Sequence, residues 1–121
     1  MMSDVIDLDM LVPDLITLPE LAERLGRDIS HARQLVNDRQ VLAFRRKAGT
    51  PLLVPAAFVA DGVVLKGLPG LLTVLADAGY GDEAALRWLF TEDPSLPGSP
   101  VQALTQNRGT EVKRRAQAMA F

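Results

Sequence analysis

The chain has 121 residues, 48% of them hydrophobic, and its 13 Lys and Arg against 15 Asp and Glu give a formal charge of −2. That length suits one domain, or two small units packed together, and the apolar fraction supports a core without covalent staples. Cysteine is absent and histidine occurs once, which excludes disulfides, thiolate metal sites and two-imidazole mechanisms and fits a reducing compartment.

The segment MMSDVIDLDMLVPD is acidic where a signal peptide would be basic. Residues 1–15 read as a flexible acidic leader, because Pro13 interrupts their apolar residues and no period holds. No run reaches the roughly 18–20 apolar residues of a membrane span, so a cytoplasmic protein is expected, with no membrane partner.

Regular structure begins at TLPE, where Thr17 reads as an N-cap, Pro19 as a first-turn residue and Glu20 as the third residue of a capping box. Leu18, Leu21, Ala22 and Leu25 mark one helical face, and Gly26 ends the helix. A second helix starts near Asp28 or Ser30 and runs to about Arg39, with Ile29, Ala32, Leu35 and Val36 as its apolar stripe. Two short helices joined by a glycine-containing turn form a helix-turn-helix pattern.

The period then changes. VLAFR and PLLVP flank RRKAGT, with Gly49 supplying the reversal of a small β-hairpin, and AAFVADG reads as one further helical turn. A hairpin directly after a helix-turn-helix makes a winged helix. Further on, Pro69–Ala78, Asp82–Phe90 (capped by Asp82), a helix from Pro100 to about Leu104 and a segment from Gly109 to Phe121 read as helices, with a Pro/Gly-rich turn at TEDPSLPGSP. The expected fold is mostly α: a leader over 1–15, a winged helix over 16–62 with its hairpin wing, and a helical bundle over 63–121.

Charge is segregated along this plan. Residues 1–23 hold six acids and no base, whereas residues 24–47 hold seven cations against Asp28 and Asp38, a net +5. Segregation of this kind suits a polyanionic partner. The polar residues Ser30, His31, Arg33, Gln34 and Asn37 of the second helix are candidate base readers, because Arg pairs with guanine and Gln or Asn with adenine in bidentate geometry. Arg45, Arg46, Lys47 and the Thr50 hydroxyl are candidate phosphate or minor-groove contacts. Each has a plainer alternative, as a solvated loop, a surface histidine or an ordinary ion pair. The leader's charge would compete with DNA for the basic face.

Two resemblances follow from these motifs. SHARQLV, LAFRR, LPGLLTVLADAGY, RWLFTEDPSL and RRAQAMA, across about residues 16–121, resemble an actinobacterial, mycobacterial-type family of winged-helix DNA-binding proteins. The likeness implies an N-terminal winged helix of excisionase or MerR type that binds duplex DNA, and a helical C-terminal domain. More weakly, Trp88, Leu89, Pro97, Gly98, Pro100, Leu104, Gly109 and Val112 are similar to the closing motif of Xre/ParS-type antitoxin domains. That likeness implies a partner-binding module, against the plain alternative that Trp88, Leu89 and Phe90 are core.

The expected function is therefore a non-enzymatic DNA-binding protein, a transcriptional regulator or nucleoid-associated factor. The alternative is an antitoxin-like or adaptor module that grips a protein partner through its helical half. A homodimer stays open. With no P-loop, dinucleotide fingerprint or nucleophile–histidine arrangement, no catalytic residue, cofactor or metal is expected.

Overall fold

The computed structural model describes residues 8, 10–96 and 98–119. Strand β1 (Leu15–Thr17) leads into helix α1 (Leu18–Leu25), followed by α2 (Ile29–Asn37) and β2 (Leu53–Pro55). A single 3-10 turn (Ala56–Phe58) then precedes β3 (Val59–Ala60) and β4 (Val63–Val64), and helices α3 (Leu68–Asp77), α4 (Asp82–Phe90), α5 (Pro100–Thr105) and α6 (Gly109–Ala118) complete the chain.

Local chemistry accounts for the start of each site-bearing helix. Thr17 caps α1: its hydroxyl accepts from the Glu20 N–H, and the Thr17 N–H donates to Glu20 Oε1 at 2.8 Å. That N–H, together with the Thr17 hydroxyl, holds the Glu20 carboxyl below its ordinary pKa. Asp28 caps α2 by accepting from the His31 N–H at 3.0 Å.

The two helices end in the same hydrogen-bonded motif with different residues. After α1, Gly26 takes the left-handed conformation (φ 66°), and the Arg27 N–H reaches back to the Ala22 carbonyl. After α2, Arg39 occupies the equivalent position at φ 56°, and the Gln40 N–H reaches back to the Leu35 carbonyl. A side chain there costs about 1–2 kcal/mol that glycine would not. Helix α2 therefore stops at Asn37, two residues before the expected end.

The sheet is small, and its pairing departs from the expected wing. β2 pairs antiparallel with β1, Ile16 opposite Val54. The wing is closed by one bridge, in which Phe44 and Leu53 exchange hydrogen bonds of 2.9 and 2.7 Å. VLAFR thus forms no full strand, because β1 supplies the main partner of β2. The expected helical turn at AAFVADG is likewise shorter: the 3-10 turn gives way to the β3–β4 hairpin, reversed by Asp61 and Gly62 at φ 54° and 80°.

The leader is corrected in part. Residues 1–7 and 9 lie outside the described residues, but Leu8 and Val12 are buried and Leu15 belongs to β1. Leu8, Met10 and Leu11 are helical, and the Val12 N–H donates to the Leu8 carbonyl at 2.9 Å, so Leu8 and Val12 turn the same way into the core.

One continuous core joins both halves. Phe58 of the N-terminal half packs on Phe90 of α4, ring centroids 5.8 Å apart. Helix α3 buries Leu68, Leu71, Leu72 and Leu75 and packs against α6. Full burial of each such leucine is worth about 1.5–3 kcal/mol. Leu89 and Phe90 are core, and Trp88 is half-buried with its indole N–H donating to Met119 Sδ at 3.1 Å. Ser99 caps α5 through a capping box with Gln102, and Gly81 precedes α4, so Asp82 is the first helical residue and not the cap. Pro97, Ala120 and Phe121 lie outside the described residues.

Candidate nucleic-acid interface

Helix α2 is held to the core mainly by Ala32, its one fully buried residue, with Leu35 and Val36 half-buried beside it. At about 100° per residue, Arg33, Asn37, Ser30 and Gln34 fall on an arc of about 100° on the side away from Ala32. All four are exposed. His31 lies on the other flank and is half-buried, so it stands apart from the remaining candidate readers.

Gln34 is engaged within the helix: its amide nitrogen donates to both carboxylate oxygens of Asp38, at 2.9 and 3.0 Å. Its carbonyl oxygen stays available as an acceptor, whereas bidentate pairing with adenine needs that amide released. Arg39 pairs with Asp82 at the start of α4, tying the end of α2 to the C-terminal half.

The wing tip is shaped by its own hydrogen bonds. Gly49, at φ 86°, makes the reversal. The Thr50 hydroxyl donates to the Lys47 carbonyl at 2.6 Å, and the Thr50 N–H donates to the same oxygen at 3.2 Å. The hydroxyl proton expected to reach a phosphate is thus committed to the turn. Arg45 Nε donates to the Thr50 carbonyl at 2.9 Å, which anchors the root of this side chain and orients its guanidinium. Arg46 and Lys47 are exposed.

Helix and wing meet in an open groove of about 350 Å³ lined by Thr17, Leu18, Pro19, Ile29, Arg33, Arg45, Pro51 and Leu52. It brings together one candidate reader, Arg33, and one candidate backbone contact, Arg45. Its floor is apolar. Among the described residues neither arginine is paired with a carboxylate, and none of the lining residues is acidic. Ile29 was expected in the buried stripe, yet it is 37% exposed at the rim of this groove. It is the first residue after the Asp28 cap, at the end of the apolar stripe, and that place is the signal the sequence carried.

A larger cleft of about 410 Å³ lies elsewhere, where Lys66, Gly67 and Gly70 at the start of α3 face Asn107, Thr110 and Lys113. It shares no residue with the helix–wing groove. Among the described residues no three metal-ligating side chains cluster, and no helix is long and apolar enough to cross a membrane.

The same division of the chain appears in comparisons with known proteins. Residues 2–59 match the family described as "DNA-binding protein Rv2175c, wHTH domain", and residues 65–120 match "Rv2175c C-terminal domain of unknown function". The chain is 44% identical over 128 residues to the DNA-binding protein Rv2175c of Mycobacterium tuberculosis, an alignment covering 93% of this chain and 86% of that protein. It is also similar to the NMR structure of Rv2175c, with a TM-score of 0.78 and 41% identity over 89% of this chain and 82% of the other. With its winged helix, its helical C-terminal half and a likeness that runs through both, the chain belongs to the Rv2175c family.

Proposed function

We propose that this protein binds duplex DNA, with α2 in the major groove and the 45–50 wing on the flanking backbone. The observation that carries the reading is the groove in which Arg33 of the helix and Arg45 of the wing meet without a carboxylate partner among the described residues. Between major and minor groove runs a sugar-phosphate strand; Arg45 on the wing side of the groove meets that strand, and Arg33 on the helix side faces the base edges beside it. The mycobacterial relative, a DNA-binding protein by name, supports the same partner.

Within this reading Arg33, Asn37 and Ser30 face base edges, and Gln34 joins them when it leaves Asp38. His31 sits on the flank nearer the backbone. Arg45, Arg46 and Lys47 neutralise phosphates, while Thr50 and Gly49 shape the tip that presents them. The role is regulatory or nucleoid-associated binding and involves no chemistry on the DNA.

The test is a titration of duplex DNA across a series of salt concentrations, comparing the wild type with the Arg45→Ala/Arg46→Ala/Lys47→Ala variant. Each lost phosphate contact lowers the slope of log K against log salt by about 0.9, so the triple variant should lose about 2–3 from the slope. An unchanged slope and affinity would remove the wing from the interface.

A further inference from the structure

The groove contains an apolar residue that packs only in part and that phosphate binding does not use. Three large apolar side chains are exposed among the described residues, Met10 at 81%, Val63 at 61% and Ile29, the least of them, at 37%. Ile29 alone of these lines the helix–wing groove, beside Arg33 and Arg45. It is the first residue of α2, and the N-terminal residues of a recognition helix are those that meet base edges.

The major-groove edges of the base pairs present hydrogen-bond donors and acceptors, with one apolar exception, the C5-methyl group of thymine. An exposed β-branched side chain at the reading end of the helix has that methyl as its complementary group. We propose that Ile29 reads thymine through its methyl group, a specificity determinant that rests on the DNA-binding reading above.

Arg33 lies one turn further along α2, at i+4, and lines the same groove. The two positions are about 6 Å apart along the helix axis, and base pairs stack every 3.4 Å or so. A thymine contacted by Ile29 therefore places Arg33 one or two base pairs away, within reach of guanine N7 and O6. The pair reads by two unlike chemistries, an apolar contact and a charge-assisted one. Asp28 fixes the first turn that carries Ile29, through its 3.0 Å bond from the His31 N–H.

The test uses a random-sequence duplex pool prepared once with thymine and once with deoxyuridine, which pairs identically and lacks only the methyl. Affinity of the full chain for each pool is measured at one salt concentration by fluorescence anisotropy. Burying one methyl is worth about a fourfold change in affinity. In a random pool about one register in four places thymine at the contact, so the wild type should favour the thymine pool by about 1.8-fold. Ile29→Ala should bind both pools alike, near the wild type's affinity for the uracil pool, and Ile29→Val should keep the preference. Far-ultraviolet circular dichroism establishes that each variant is folded, and the wild-type comparison needs no variant at all.

A wild type indifferent to the methyl, or an Ile29→Ala variant that keeps the full preference, overturns the inference and leaves DNA binding standing. A wild type that binds neither pool removes the DNA-binding reading, and this inference with it.

Discussion

The two halves of the molecule use similar residues to opposite ends. In the C-terminal half, α3 buries four leucines, and Arg87, Arg108 and Arg115 each stand beside a carboxylate of the same half: Glu83, Glu111 and Asp93. In the N-terminal half, α2 fully buries only Ala32, and Arg33 and Arg45 share a groove with no acid on its lining. A helix that spent its faces on the core would have none left for an external partner. A cation already paired would have to give up its carboxylate before meeting a phosphate. The C-terminal half thus stabilises a surface that the N-terminal half leaves open.

If that division holds, the strongest way to break it is through the contact that unites the halves. Phe58 is fully buried and packs on Phe90. Phe58→Ala should cost about 3–5 kcal/mol, and chemical denaturation should show one transition moved to lower denaturant. Two separated transitions would mean that the halves fold independently.

A smaller perturbation sharpens the contrast on the N-terminal side. Asp28→Ala removes the cap of α2 and should cost about 1 kcal/mol. Because the cap also fixes the reading end of the helix, DNA affinity should fall along with stability. The equivalent loss in the C-terminal half, Ser99→Ala, should lower stability and leave DNA affinity unchanged.

The C-terminal half also carries its own pH signature. Asp93 accepts from the Ser95 hydroxyl and N–H and then from Arg115, and these hold its pKa at about 2, below the ordinary 3.8. A carboxyl with a depressed folded-state pKa contributes stability that is complete above the ordinary value and lost as pH falls toward the folded one. The stability gap between wild type and Asp93→Asn should therefore narrow between pH 3.8 and about 2. A gap constant over that window would show that the charge on Asp93 contributes nothing.

The smallest effect is expected at the link between the halves. The Arg39–Asp82 pair is half exposed, so its coupling energy in a double-mutant cycle should be about 0.2–1 kcal/mol. Arg39 also carries the left-handed backbone, so Arg39→Gly should be about 1 kcal/mol more stable than Arg39→Ala although both lose the pair.

Where local chemistry decides structure, the sequence was readable. Thr17 with Glu20, Asp28, Gly26, Pro100 and the apolar periods placed the helices because caps and periods act within a few residues. What escaped reading depends on distant partners. VLAFR looks like a strand, but β1 takes the main edge of β2 and leaves the wing one bridge. Leu8 and Val12 stand four residues apart, a helical spacing closed by the Val12 N–H on the Leu8 carbonyl at 2.9 Å, but one such pair is too short a signal beside Pro13 to read as a period. The ADG reversal carried a hairpin signal that the apolar AAFV before it obscured. At the proposed interface, residue types marked out the candidate cations. The exposure of Ile29, the retention of Gln34 by Asp38 and the use of the Thr50 hydroxyl within its turn emerge only in three dimensions.

The central claim is that α2 and the wing form one surface for duplex DNA. The most direct measurement is a DNA titration of isotope-labelled protein followed by amide chemical shifts. The account predicts that the largest shifts fall on residues 29–37 and 45–50, with residues 68–77 nearly silent. Shifts concentrated around Lys66 and Lys113, with α2 and the wing unmoved, would contradict it.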